Sequence, residues 1–156
     1  MSARRTALPA WARIVRESLS AYESAAIAAA PDGVIRAPLD VFNLLRERAE
    51  REEQEVFYCI ILNAKSRPLA VVEVSRGILS GALVHPREVF RLAIAYGAAG
   101  VIVAHNHPSG DPTPSADDRG LTRNLVEAGK VLDIPVYDHV VIGAGRYVSF
   151  SESGLL

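Results

Sequence analysis

Apolar residues recur near helical spacing from Leu8 to Ala30, through Trp11, Ile14, Val15, Leu19 and Tyr22, and the turn signal Pro31-Asp32-Gly33 ends the run. A second helix is expected after Pro38, with Leu39, Phe42, Leu45 and Ala49 on one face and a charged, solvated end over Arg46–Glu55. The pattern then changes period. Val56–Asn63 and Leu69–Ser75 are apolar and β-branched, and the polar stretch between them predicts a hairpin. Ile78–Val84 is a third strand candidate. Pro86 suits the first turn of a helix running to about Tyr96, with Glu88 near the positive end of its dipole. Val101–Ala104 is a short continuous apolar run, as expected of a strand buried on both faces. A helix over Ala116–Leu132, with Leu121, Leu125, Ala128 and Leu132 inward, precedes two closing strands, Val136–Ile142 and Tyr147–Phe150.

Strands interleaved with helices predict an α/β domain with a mixed sheet and flanking helices. At 156 residues the chain suits one domain with a sizeable core. The core elements fall in 38–156, leaving 1–37 as a helical extension whose apolar side offers a homodimer contact. Apolar residues make up 49% and charged residues 22%, a globular balance. Net charge is −1, which argues against a chain whose main ligand is nucleic acid. No stretch reaches the ~18 apolar residues of a membrane span, and the basic N-terminus leads into no apolar signal region, so the reading is a cytoplasmic protein with no membrane partner. Cys59 is the single cysteine, which excludes an intrachain disulfide and a thiolate metal cluster; within its apolar run it reads as an inert buried thiol.

The informative segment runs from His105 to Asp118. Residues at i and i+2 of an extended chain point to one side, so His105 and His107 can reach a single cation. Pro108 keeps His107 out of the α region. A loop stiffened by Pro108, Pro112 and Pro114 then leads to Ser115–Asp118, the first turn of the next helix. Two imidazoles and a carboxylate, with a fourth position open to water, are how a catalytic zinc is commonly held. Each piece also has a plainer reading. A His-x-His pair serves as hydrogen-bonded scaffolding in many strands, and Ser115-x-x-Asp118 is a fair capping box in its own right. What favours the metal is three ligand types on two elements joined by one stiff loop. His85 and His139 read as structural, or one of them, or Asp138, as orienting a ligand histidine from behind.

His105-x-His107-Pro108, six residues, then Ser115-x-x-Asp118 resembles the signature of the JAMM (MPN-type) metallopeptidases at every defined position. Val84-His85-Pro86-Arg87-Glu88-Val89-Phe90, Ala104 to Pro112 and Asp138-His139-Val140-Val141-Ile142-Gly143 resemble the bacterial RadC-like branch, and the likeness covers about Pro38 to the C-terminus. It implies a cytidine-deaminase-like fold and one zinc ion per chain on His105, His107 and Asp118. It also implies a catalytic Ser115 that steadies an oxyanion, and Glu55 as general base, with Glu53 the nearest rival and Glu52 and Glu73 less suited. The expected activity is hydrolysis of an amide bond, peptide or isopeptide in a peptide or protein substrate, with a small amide equally suited to the same centre. The alternative is a non-enzymatic scaffold or a DNA-repair-associated module. Longer RadC proteins carry a helix-hairpin-helix region that Met1–Ala37 does not resemble, so a DNA role loses its structural support. The metallo-β-lactamase pattern fails, since Ser109 and Gly110 stand where it needs aspartate and histidine.

Overall fold

The computed structural model describes residues 33–77 and 84–156. Helix α1, Pro38–Ala49, opens with proline in its first turn, and Asp40 accepts the main-chain N–H groups of Arg36 and Ala37 that the helix leaves unpaired. Strands β1 (Val56–Leu62) and β2 (Pro68–Arg76) form an antiparallel hairpin. Helix α2 (Pro86–Ala95) leads to β3 (Gly100–Asn106), helix α3 (Ala116–Leu132) to β4 (Val136–Ile142), and a turn to the short β5 (Tyr147–Ser149). The five strands form one mixed sheet in the order β2-β1-β3-β4-β5, in which β3 and β4 are the parallel pair. The expected α/β architecture with a mixed sheet holds.

Strand parity assigns the two faces. Phe57, Cys59, Ile61, Val101 and Val103 pack with Val89 and Phe90 of α2 and Leu125 of α3. Val56, Tyr58, Ile60, Ile102 and Ala104 pack on the other side with Val41, Phe42 and Leu45 of α1. Helices cover both faces, so all seven residues of β1 and all seven of β3 are buried, and neither strand alternates apolar with polar. Burial pushes the Cys59 thiol up to about 12, which leaves it inert at neutral pH.

Several details differ from the sequence expectations. Leu39 is half exposed, because the inward stripe of α1 runs through Val41, Phe42, Leu45 and Ala49. Leu132 is also exposed, at the last turn of α3, where the chain leaves the core through the left-handed Asp133. Helix α1 stops at Ala49, so most of the charged run lies beyond it. There Glu52 pairs with Arg76, and Arg48 and Arg76 both meet Glu73, tying the segment to the end of β2. The helix expected over Leu8–Ala30 and most of the strand expected over Ile78–Val84 lie outside the described residues. Among the described residues no helix is long and apolar enough to cross a membrane.

Candidate metal centre

The C-terminal end of β3 meets the N-terminus of α3, the place where open α/β sheets commonly hold ligands. His105 is the penultimate residue of β3, fully buried on the face covered by α2 and α3. His107 follows the strand and stays in line because its N–H donates to the Ile142 carbonyl of β4 (2.9 Å). Asp118 comes in from α3, 6% exposed. Its Oδ2 accepts the Ser115 N–H (2.7 Å) while Ser115 Oγ accepts the Asp118 N–H (3.1 Å), so the capping box is formed. That box does not compete with a ligand role. It orients the carboxylate toward the imidazoles, with Oδ1 3.3 Å from His105 Nε2 and Oδ2 3.4 Å from His107 Nε2.

The two Nε2 atoms stand 3.0 Å apart. Four-coordinate zinc with donors at 2.0–2.1 Å puts neighbouring donors ~3.3–3.4 Å apart, and each imidazole nitrogen lies about that far from the carboxylate oxygen nearest it. The far sides of both rings are engaged. His107 Nδ1 donates to the Asp111 carbonyl (2.7 Å), which leaves Nε2 as the lone-pair nitrogen of the neutral ring. His105 Nδ1 lies 2.8 Å from His139 Nε2. The Nε2 atoms of His105 and His107, 3.0 Å apart, would repel as facing lone pairs unless they share a cation or a proton. For the metal-free protein the electrostatics agree. The Asp118 carboxylate holds the His107 imidazole above its ordinary value against the opposing effect of burial, and the Asp111 carbonyl and Glu55 charge add to it. Burial works against ionisation of Asp118, yet the His105 and His107 imidazoles beside it hold its carboxyl well below the usual range. Among the described residues these three form the one group of His, Cys, Asp or Glu donors arranged to hold a metal.

Residues 35–155 match the model of the RadC-like JAB domain. The chain belongs to the RadC-like JAB domain family. It is 55% identical over 119 residues to a UPF0758 protein of Symbiobacterium thermophilum, covering 76% of this chain and 51% of that one. A UPF0758 protein of Moorella thermoacetica is 50% identical, covering 79% of this chain and 54% of its own length. One from Methanosarcina mazei is 44% identical over 81% of this chain and 55% of its own. The chain thus spans about half the length of the curated relatives it matches. Its His-His-Asp group fits the JAMM-type metal site of the JAB fold.

The RadC-like domain places the remaining expected residues at the edge of this centre. Pairing of β1 with β3 runs out at Phe57↔His105, and Glu55, two residues before that rung, is half-buried and near enough for its charge to act on His107. Of its rivals, Glu52 and Glu73 are taken up by Arg76, and Glu53 is exposed in the bend before the strand. Sequence reasoning missed what holds Glu55. Asn106, between the two histidines, points to the opposite face and clamps the main chain on both sides of it. Oδ1 accepts the Val56 N–H (2.8 Å) and Nδ2 donates to the Gln54 carbonyl (2.9 Å). From the other edge, Gly77 N–H donates to the Glu55 carbonyl (2.9 Å). An amide side chain here replaces the last rung of the β1–β3 ladder. A polar residue on the buried face of a strand end was the available signal.

Of the three groups considered as supports behind a ligand, His139 is the one that reaches His105. His85 is exposed at the start of α2. Asp138 turns to the other face, where it accepts the Ser149 hydroxyl (2.6 Å) and the Ser151 N–H (2.9 Å) and secures the C-terminal turn. The loop from Pro108 to Pro114 rests on the β4–β5 turn, with Ala144 N–H donating to the Gly110 carbonyl (3.0 Å). A side chain at Gly143 would collide with that carbonyl and with Pro112, so only glycine lets the two turns meet. Beside His107 a cleft of about 300 Å³ opens, lined by Ala49, Glu50, Pro108, Ile142, Gly143 and Gly145.

Proposed function

We propose that this domain is a zinc-dependent hydrolase of amide bonds, with one ion per chain held by His105, His107 and Asp118. The observation that carries the reading is the convergence of two imidazole Nε2 atoms 3.0 Å apart, each with an Asp118 carboxylate oxygen 3.3–3.4 Å away, with an acceptor bound behind His107 and a cleft beside it. A zinc ion there supplies Lewis acidity, which acidifies a water and polarises a carbonyl.

The chain's own residues supply the rest. Glu55 accepts a proton from the attacking water and delivers it to the departing amine, a task that requires a carboxylate held by its main chain and free at its tip. Ser115 spends a lone pair on the Asp118 N–H and keeps its O–H proton, so the hydroxyl that caps α3 remains able to donate to a developing oxyanion. The cleft beside His107 receives the substrate; its volume is at the lower end for ligand sites and suits a short extended segment of peptide or protein tail.

The test is to incubate the zinc-loaded protein with a library of peptides and Lys-linked isopeptides and to read newly formed amines. Turnover that a chelator removes and zinc restores, and that Glu55→Gln abolishes at full zinc occupancy, is the expected result. No turnover on either class at full occupancy would favour the non-enzymatic scaffold.

A further inference from the structure

Behind His105 the hydrogen-bond geometry assigns each proton in turn. A main-chain carbonyl can only accept, so Thr122, one turn along α3, donates its hydroxyl proton to the Asp118 carbonyl (2.6 Å). With that proton committed, Thr122 Oγ1 is the acceptor in its 2.6 Å contact with His139 Nδ1, which therefore carries a hydrogen. The His139 ring is fully buried, stacked on Phe150 and edge-on to Phe57, surroundings that disfavour a charged imidazolium. Its Nε2 consequently presents a lone pair, and at 2.8 Å it accepts from His105 Nδ1. Nδ1 of His105 is thereby committed as a donor. Any lone pair that ring offers is on Nε2, the nitrogen facing Asp118 and His107.

We propose that Thr122 and His139 are positioning residues that fix the tautomer of His105, so that its Nε2 is held as a metal-facing lone pair by a hydrogen-bond chain anchored on the main chain of Asp118. The inference rests on the reading of His105 as a metal ligand. The chain closes on itself, because Asp118 faces the centre with its carboxylate and anchors the relay with its carbonyl. Without the Thr122 hydroxyl, nothing sets the direction. His139 can then carry its hydrogen on Nε2, His105 Nδ1 becomes the acceptor, and an N–H points where the ion should sit.

Two measurements test this. In metal-free wild-type protein, long-range ¹⁵N–¹H NMR of the imidazoles should show both His105 and His139 protonated on Nδ1. Zinc competition titrations should show Thr122→Val, which removes the hydroxyl at nearly constant volume, weakening the affinity by about 10- to 100-fold, while Thr122→Ser restores it. The same NMR experiment should find His105 redistributed toward the Nε2-protonated form in Thr122→Val and not in Thr122→Ser. Nε2-protonated His105 in the wild-type protein would overturn the proposal, as would wild-type tautomers and affinity in a folded Thr122→Val. The tautomers are read without metal and without a variant. A chain that bound no zinc would thus defeat the metal centre itself, and the NMR result would still judge the relay.

Discussion

The two halves of the centre are built differently. The half that could hold a metal consists of His105 and His107 at the end of β3 and Asp118 of α3, and each has a hydrogen-bonded partner behind or beneath it: His139, the Asp111 carbonyl and the Ser115 cap. The half that would move protons, Glu55 and Ser115, stands on chain leading into elements, with main chain held and side chains half-buried or exposed. Ligand geometry tolerates little error, since a lone pair must point at one place, whereas a base and an oxyanion donor must reach a substrate that comes and goes. The difference teaches where fixed hydrogen bonds are spent and where freedom is kept. It also predicts that variants of the second half change turnover and leave the metal in place.

Glu55→Gln is the largest such separation. It should keep zinc and lose turnover by about 10²–10⁴, the usual range for a general base, as read by single-turnover assay and metal analysis. Activity that survives there but vanishes in Glu53→Gln would move the base two residues back. Ser115→Ala comes next. The hydroxyl has two tasks, so turnover should fall by about 10²–10³ and thermal stability by about 1 kcal/mol together. A stability loss with turnover unchanged would leave Ser115 as a cap alone. Asn106→Ala tests the clamp, and misplacing Glu55 should cost turnover by up to about 10² with metal affinity near wild type. Loss of zinc in step with activity would make Asn106 part of the metal-holding half.

The smallest effect is a pH dependence with a definite sign. Metal-free His107 titrates above its ordinary value, so its pairing with Asp118 stabilises the apo fold fully below about pH 6.5 and fades as pH rises through the raised value. Asp118 is depressed, so its contribution is present above its ordinary value of about 4 and fades only in stronger acid. A zinc ion bound by His107 would have to displace the proton there. Affinity should therefore fall as pH drops through the raised His107 value, with proton uptake on release, while Asp118 is still ionised. An affinity flat until Asp118 protonates would mean that His107 is no ligand.

Much of this was legible in the sequence, for a local reason. His-x-His at a strand end and Ser-x-x-Asp at a helix start are short patterns whose geometry follows from strand and helix periods, so their convergence needed only the loop to turn back. The order of elements was equally local. Asn106 and Thr122 were not legible, because the partners that give them meaning are Gln54, Val56 and His139, fixed by register and helix docking and not by spacing. Leu39 and Leu132 misled for a related reason. Helical period marks a face, but where a helix overhangs the sheet an apolar residue in phase with the stripe remains in solvent.

The central claim, that His105, His107 and Asp118 together hold one ion, is tested most directly by metal analysis and X-ray absorption on the wild-type protein beside His107→Ala and Asp118→Ala. The account predicts about one zinc per wild-type chain, with nitrogen and oxygen donors at ~2.0–2.1 Å, and none retained by either folded variant. Full zinc occupancy in both variants, or a wild-type protein that takes up no zinc when it is supplied, would contradict it.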